Sequence, residues 1–127
     1  MLARYQMRRG ARADELPDGV RQDTRKHTRH PLRPERELVA AVLDEGSIDW
    51  ATFAERYRAD VRARFEADRA PFDALAERAR TEDVYLGCSC PTKRVPDVRR
   101  CHTWQALGIM KELYPDLEVR FPEGTGT

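Results

Sequence analysis

The chain has 127 residues, 35% of them charged, with 23 Lys and Arg against 22 Asp and Glu and three cysteines. That length fits one ordinary domain with one core and is too short for two, so residues 1–127 are expected to fold as a single unit. The near-zero net charge excludes attraction of anions by the whole-molecule field, and leaves local clustering as the only source of it. No apolar run reaches the length of a membrane span, and Met1-Leu2-Ala3-Arg4-Tyr5 lacks a signal-peptide core. A cytoplasmic protein with no membrane partner is the expectation.

In chain order, Leu2 to Met7 is the first strand candidate, and Gly10, Pro17, Asp18 and Gly19 are turn residues before a short extended stretch from Val20 to Asp23. Thr24 to Pro34 has no periodicity and is expected to be a loop. Pro34 is placed in the first turn of a helix running to about Asp44, with Leu38, Val39, Val42 and Leu43 on one side. A second helix starts near Asp49, which can cap it, and carries Trp50, Phe53, Tyr57, Val61 and Phe65 in one apolar stripe. That stripe reads as core rather than as a cofactor groove. Arg56, Asp60 and Arg64 fall on its opposite face at ion-pair spacing.

Asp68 and Pro71 open a third helix with Phe72, Leu75, Ala76 and Ala79 inward, and Asp83 to Cys88 reads as a short buried strand. After a loop holding Pro91 and Pro96, a last helix from Thr103 presents Trp104, Leu107, Met110 and Leu113. It stops before Pro115, and Leu117 to Phe121 is expected to be a closing strand. Pro122 to Thr127 reads as a flexible tail. Alternation of strands and helices predicts a small three-layer α/β domain, with a mainly parallel sheet and helices packed on its faces. Ligands of such sheets collect beyond the carboxyl ends of the strands, where Asp23 and Cys88 fall.

The segment that concentrates chemistry runs from Cys88-Ser89-Cys90 through Lys93, Arg94, Arg99 and Arg100 to Cys101-His102. Cysteines so crowded do not staple distant loops as a disulfide framework does. Cys101 precedes a helix N-terminus and follows two arginines, and both features favour its thiolate. Three readings stay open. A zinc centre could recruit Cys88, Cys90, Cys101 and His102. However, Cys-x-Cys is not the common Cys-x-x-Cys knuckle, and adjacent Cys101 and His102 would have difficulty reaching one ion, so this spacing predicts a protein without metal, and no cofactor is expected. A catalytic site would use Cys101, His102 and Cys88. The third reading makes all of them structural.

A second basic segment, Arg21 to Arg33, includes the step Asp23-Thr24-Arg25. Beside the cysteine loop it would complete a crevice for an anionic small molecule, with Asp23, Thr24, Arg25, Lys93, Arg99 and Arg100 as candidate ligand-binding residues. The competing reading is a non-catalytic nucleic-acid-binding or regulatory module in which the basic loops contact phosphates. The segment could equally be a solvated loop, and oligomeric state is not readable.

Taken together, Asp23-Thr24, the Phe53 to Tyr57 segment followed by Arg58 and further arginines, the Phe72 helix, and above all Cys88-x-Cys90 followed by Cys101-His102 resemble the domain-of-unknown-function 488 family across Leu2 to Val119. The resemblance implies a compact three-layer α/β fold with the cysteines at one end of the sheet. One position departs from the family pattern, which usually continues Cys-His-Arg: here Thr103 follows His102. If that arginine holds an anion in relatives, the role is absent here or falls to Arg99 or Arg100.

Overall fold

The computed structural model describes residues 1–125. Three strands, β1 (Leu2–Gln6), β2 (Val20–Asp23) and β3 (Val84–Cys88), form a parallel sheet in the order β1-β3-β2. The register pairs Leu2 with Val84 and Gln6 with Cys88 on one side, and Val20 with Val84 on the other. The central position of β3 explains its nearly continuous apolar run, since a strand flanked on both edges has few positions left to water. Four helices follow the expected order: α1 (Arg36–Leu43), α2 (Trp50–Ala67), α3 (Ala70–Thr81) and α4 (His102–Leu113). The small α/β fold with a parallel sheet is the fold observed.

Leu2, Val84 and Leu86 share one face of the sheet by the two-residue period of strands. They merge with Leu38 of α1, Phe53, Tyr57 and Val61 of α2, Phe72, Leu75, Ala76 and Ala79 of α3, and Leu107, Ile109 and Met110 of α4 into one core. Helix α4 lies directly on β1 and β3, α2 packs on α4, and α1 packs on α2. The α2 stripe is therefore core, as its spacing predicts, and Asp49 caps it by accepting from the Thr52 amide at 2.8 Å. Pro71 stands in the first turn of α3.

Four expectations are corrected. Leu117 to Phe121 is not a strand of the sheet: only Val119 bridges to Leu2, with Leu2 N–H donating to Glu118 O and Arg120 N–H to Leu2 O, both at 2.9 Å. A turn from Tyr114 to Leu117 before it and Pro122 after it, which has no amide to donate, leave no room for more. Pro34 lies outside α1, because the chain is still extended at the N-cap Glu35, whose carboxylate is held by Arg64 at 2.5 Å. Arg64 accordingly does not face solvent with Asp60. It reaches back to the carbonyls of Pro31 (2.9 Å) and Arg33 (2.7 Å). Helix α4 begins at His102, one residue early, which makes Cys101 its N-cap. Of the expected tail, Pro122 to Thr125 closes a turn, and residues 126 and 127 lie outside the described residues.

Candidate functional site

At the carboxyl end of the sheet, β3 delivers Cys88, the loop after it delivers Cys90, and the N-terminus of α4 delivers Cys101 and His102. The three sulfurs lie within 4.8 Å of one another. The Cys-x-Cys spacing therefore does not keep the sulfurs apart. Proximity here is set by a strand end and a helix end meeting, not by the distance along the chain. Cys88 and Cys101 are buried and Cys90 is half-buried.

His102 is enclosed, 5% exposed. Its Nε2 lies 2.8 Å from the hydroxyl of fully buried Thr24, and that hydroxyl donates to Gly87 O at 3.0 Å. A hydroxyl has one proton to give, so Nε2–H donates to Thr24 and Nδ1 is the nitrogen turned to the sulfur. Nδ1 stands 3.9 Å from Cys101 Sγ. His102 does not join the three sulfurs as a possible metal ligand, as its adjacency to Cys101 predicts, but the N-cap brings its ring beside the Cys101 sulfur.

The electrostatics follow from this packing. Hydrogen bonds from Cys88 and Cys90, and then the His102 ring, hold the Cys101 thiol well below its ordinary range against the opposing effect of burial. The Cys90 thiol is pushed up, first by its hydrogen bond to Cys101. Burial alone would lower His102, but the sulfurs of Cys101 and Cys88 outweigh it and raise the imidazole to about 9. Both shifts run in the direction that favours a Cys101 thiolate beside a protonated His102.

Two residues that the sequence reading passed over complete the site. Arg4 donates from Nε to Thr103 Oγ1 at 2.8 Å and from Nη2 to Cys90 O at 2.7 Å, and Thr103 Oγ1 donates to Cys101 Sγ at 3.1 Å. Strand β1 thus brings a guanidinium to Thr103, the residue that follows His102. Gln6 donates to Pro91 O at 2.7 Å and Ser89 O at 3.3 Å. The readable signal is phase: Arg4 and Gln6 follow buried Leu2 at two-residue steps, so two polar residues occupy strand positions on the covered face.

The sulfurs and His102 line a cavity of about 550 Å³. Val39, Val42, Leu43, Trp50, Phe53 and Val95 form its apolar wall, and Arg25, Lys26, Lys93, Arg94 and Arg100 its basic rim. Among the described residues no Asp or Glu lines it. Both basic segments therefore meet at one crevice. Arg25 is paired with Asp23 at 2.9 Å and Arg94 with Asp44 at 2.8 Å, and the Arg25 guanidinium lowers the Asp23 carboxyl. Arg100 lies 5.8 Å over the Trp50 ring. Of the other candidates, Asp23 serves Arg25, Thr24 serves His102, and Arg99 is paired with Asp97 at 3.0 Å outside the cavity lining.

No curated protein and no solved structure matches this chain. One family does, by the description "Active DUF488-N3 subclade", over residues 4–107, a stretch that holds Arg4, Thr24, all three cysteines and His102. The chain belongs to the DUF488 family.

Proposed function

We propose that this protein is a cysteine-dependent enzyme acting on a small anionic ligand with a flat apolar body, a nucleotide being the class that fits. The observation that carries the reading is one cavity with Cys101 and His102 among its lining residues and five cations around it. Its volume of about 550 Å³ lies in the ordinary range of small-molecule sites. Trp50 and Phe53 offer aromatic surface for a base, while Lys26, Lys93 and Arg100 face the mouth without a carboxylate partner among the described residues. In the reaction, Cys101 Sγ bonds to an electrophilic carbon of the ligand as the leaving group departs with the proton of His102 Nδ1. Water then releases the product and restores the thiol. A sulfur used this way must stay reduced, which suits the cytoplasm.

The nucleic-acid-binding module is less well supported, because Arg25, Arg94 and Arg99 are already neutralised by Asp23, Asp44 and Asp97. Few free charges are left for a phosphate backbone. The test is iodoacetamide labelling of the reduced, chelator-treated chain, with each cysteine read by mass spectrometry. Cys101 is expected to label first, and nucleoside monophosphates to slow it roughly tenfold by occupying the cavity. A Cys101 inert until denaturant is added, or labelled equally fast with and without every nucleotide and inorganic phosphate, overturns the reading. Steeply salt-dependent binding of RNA or DNA with no such protection would favour the module instead.

A further inference from the structure

We propose that Cys88, Cys90 and Cys101 together form a binding site for a soft divalent cation, zinc foremost, with its fourth coordination position open to the cavity. The three sulfurs lie within 4.8 Å of one another. Zinc–thiolate bonds of about 2.3 Å at tetrahedral angles require sulfurs roughly 3.8 Å apart, so the site needs a closing movement of at most about an ångström. Cys90 can supply it. Cys88 ends a central strand and Cys101 caps a helix, whereas Cys90 is half-buried on the loop between them.

The frame around that loop is already fixed. Arg4 holds Cys90 O at 2.7 Å, and Gln6 holds Ser89 O at 3.3 Å and Pro91 O at 2.7 Å. Bracing of the ligand backbone by outer hydrogen bonds is what orders a metal site before the ion arrives. The chemistry of the donors selects the ion: three sulfurs, with no Asp or Glu lining the cavity among the described residues, suit zinc and offer nothing to magnesium or calcium. On binding, the cation takes three thiolates, and the protons the sulfurs still carry pass to solvent. Three sulfurs leave one position of a tetrahedral ion for water or an anion from the cavity.

The metal site stands on its own geometry. Its consequence rests on the reading above: zinc and substrate compete for Cys101, so the loaded site is closed and the stripped site is open. The reduced full-length chain would be stripped with chelator, desalted, given zinc and desalted again. Retained zinc is measured by elemental analysis, affinity by competition with a chromophoric chelator, and N-ethylmaleimide labelling of each cysteine by mass spectrometry. The expected result is one zinc per chain, with labelling of all three cysteines slowed more than roughly tenfold and restored by chelator. Cys90→Ser, the variant least expected to disturb the core, should weaken zinc by roughly 100-fold or more while its circular dichroism spectrum is unchanged. Zinc retention equal in wild type, Cys90→Ser and Cys88→Ser, or cysteine labelling indifferent to zinc, overturns the proposal. Zinc bound at the three sulfurs of a chain whose stripped Cys101 does not label would instead uphold the metal site and remove the nucleophile.

Discussion

Thr24 shows how much of this site is decided by single contacts. It is fully buried, and its hydroxyl links Gly87 O to His102 Nε2. Thr24→Val keeps the shape and removes the link, leaving a buried ring N–H without its acceptor. Urea denaturation should show a loss of about 1–3 kcal/mol, Cys101 labelling should slow, and Thr24→Ser should recover most of both; a Val variant as stable as wild type would show that the ring needs no such partner. His30 carries a pH dependence of a defined sign. Its Nε2 donates to Gln22 Oε1 at 2.6 Å and its Nδ1 accepts from the Leu32 amide at 3.1 Å, so neither nitrogen has room for another proton. Burial, with the His102 charge nearby, pushes it down to about 4. The unfolded chain takes up that proton near pH 6.5 and the folded chain does not, so this stabilisation is complete above about pH 6.5 and is lost as pH falls toward 4. Equilibrium unfolding across that window should show about 3 kcal/mol more acid destabilisation in wild type than in His30→Asn.

At the scale of elements, hydrophobic period was a sound guide wherever a helix or strand buries a face against the core. Phe53, Tyr57 and Val61 on α2, and Phe72, Leu75, Ala76 and Ala79 on α3, are all buried as their spacing predicts. Period was silent about what holds the loop from Thr24 to Pro34, which has none. That loop is fastened by side chains reaching from α2: Tyr57 donates to Leu32 O at 2.7 Å, and Arg64 to the Pro31 and Arg33 carbonyls at 2.9 and 2.7 Å. Helix position alone places Arg64 among surface ion pairs, because it cannot show that a loop distant in sequence lies against that turn. Arg64→Ala should therefore cost about 2 kcal/mol in chemical denaturation, well beyond the few tenths of an exposed helical pair. A loss within those few tenths would return Arg64 to the surface role. The failed closing strand has the same origin: Leu117 to Phe121 has strand composition, but only Val119 finds a partner, and that partner is the edge of β1.

For the whole molecule, a net charge of +1 conceals a strong local asymmetry, with five cations and no carboxylate among the described residues lining one cavity. Of these, Lys26 and Lys93 are exposed, so reversing them should alter the potential at the mouth without touching the core. The double variant Lys26→Glu, Lys93→Glu should weaken nucleotide protection of Cys101 by on the order of tenfold at low salt, with the difference shrinking as salt rises. Protection unchanged by the double reversal would show that the rim does not attract the ligand. Sequence by itself determined the elements and the chemistry available to them: apolar period placed the helices, turn residues divided the strands, and the crowding of Cys88, Cys90, Cys101 and His102 marked where reactive groups would gather. Tertiary structure alone decided who meets whom. Parallel pairing put β1 beside β3 and so brought Arg4 and Gln6 to the cysteine loop, the cap of α4 turned His102 toward the sulfur of its neighbour Cys101, and the three sulfurs converged despite their spacing. Period and composition report what each residue has to bury or offer, whereas distances across the fold come from how strand ends, helix ends and loops pack together.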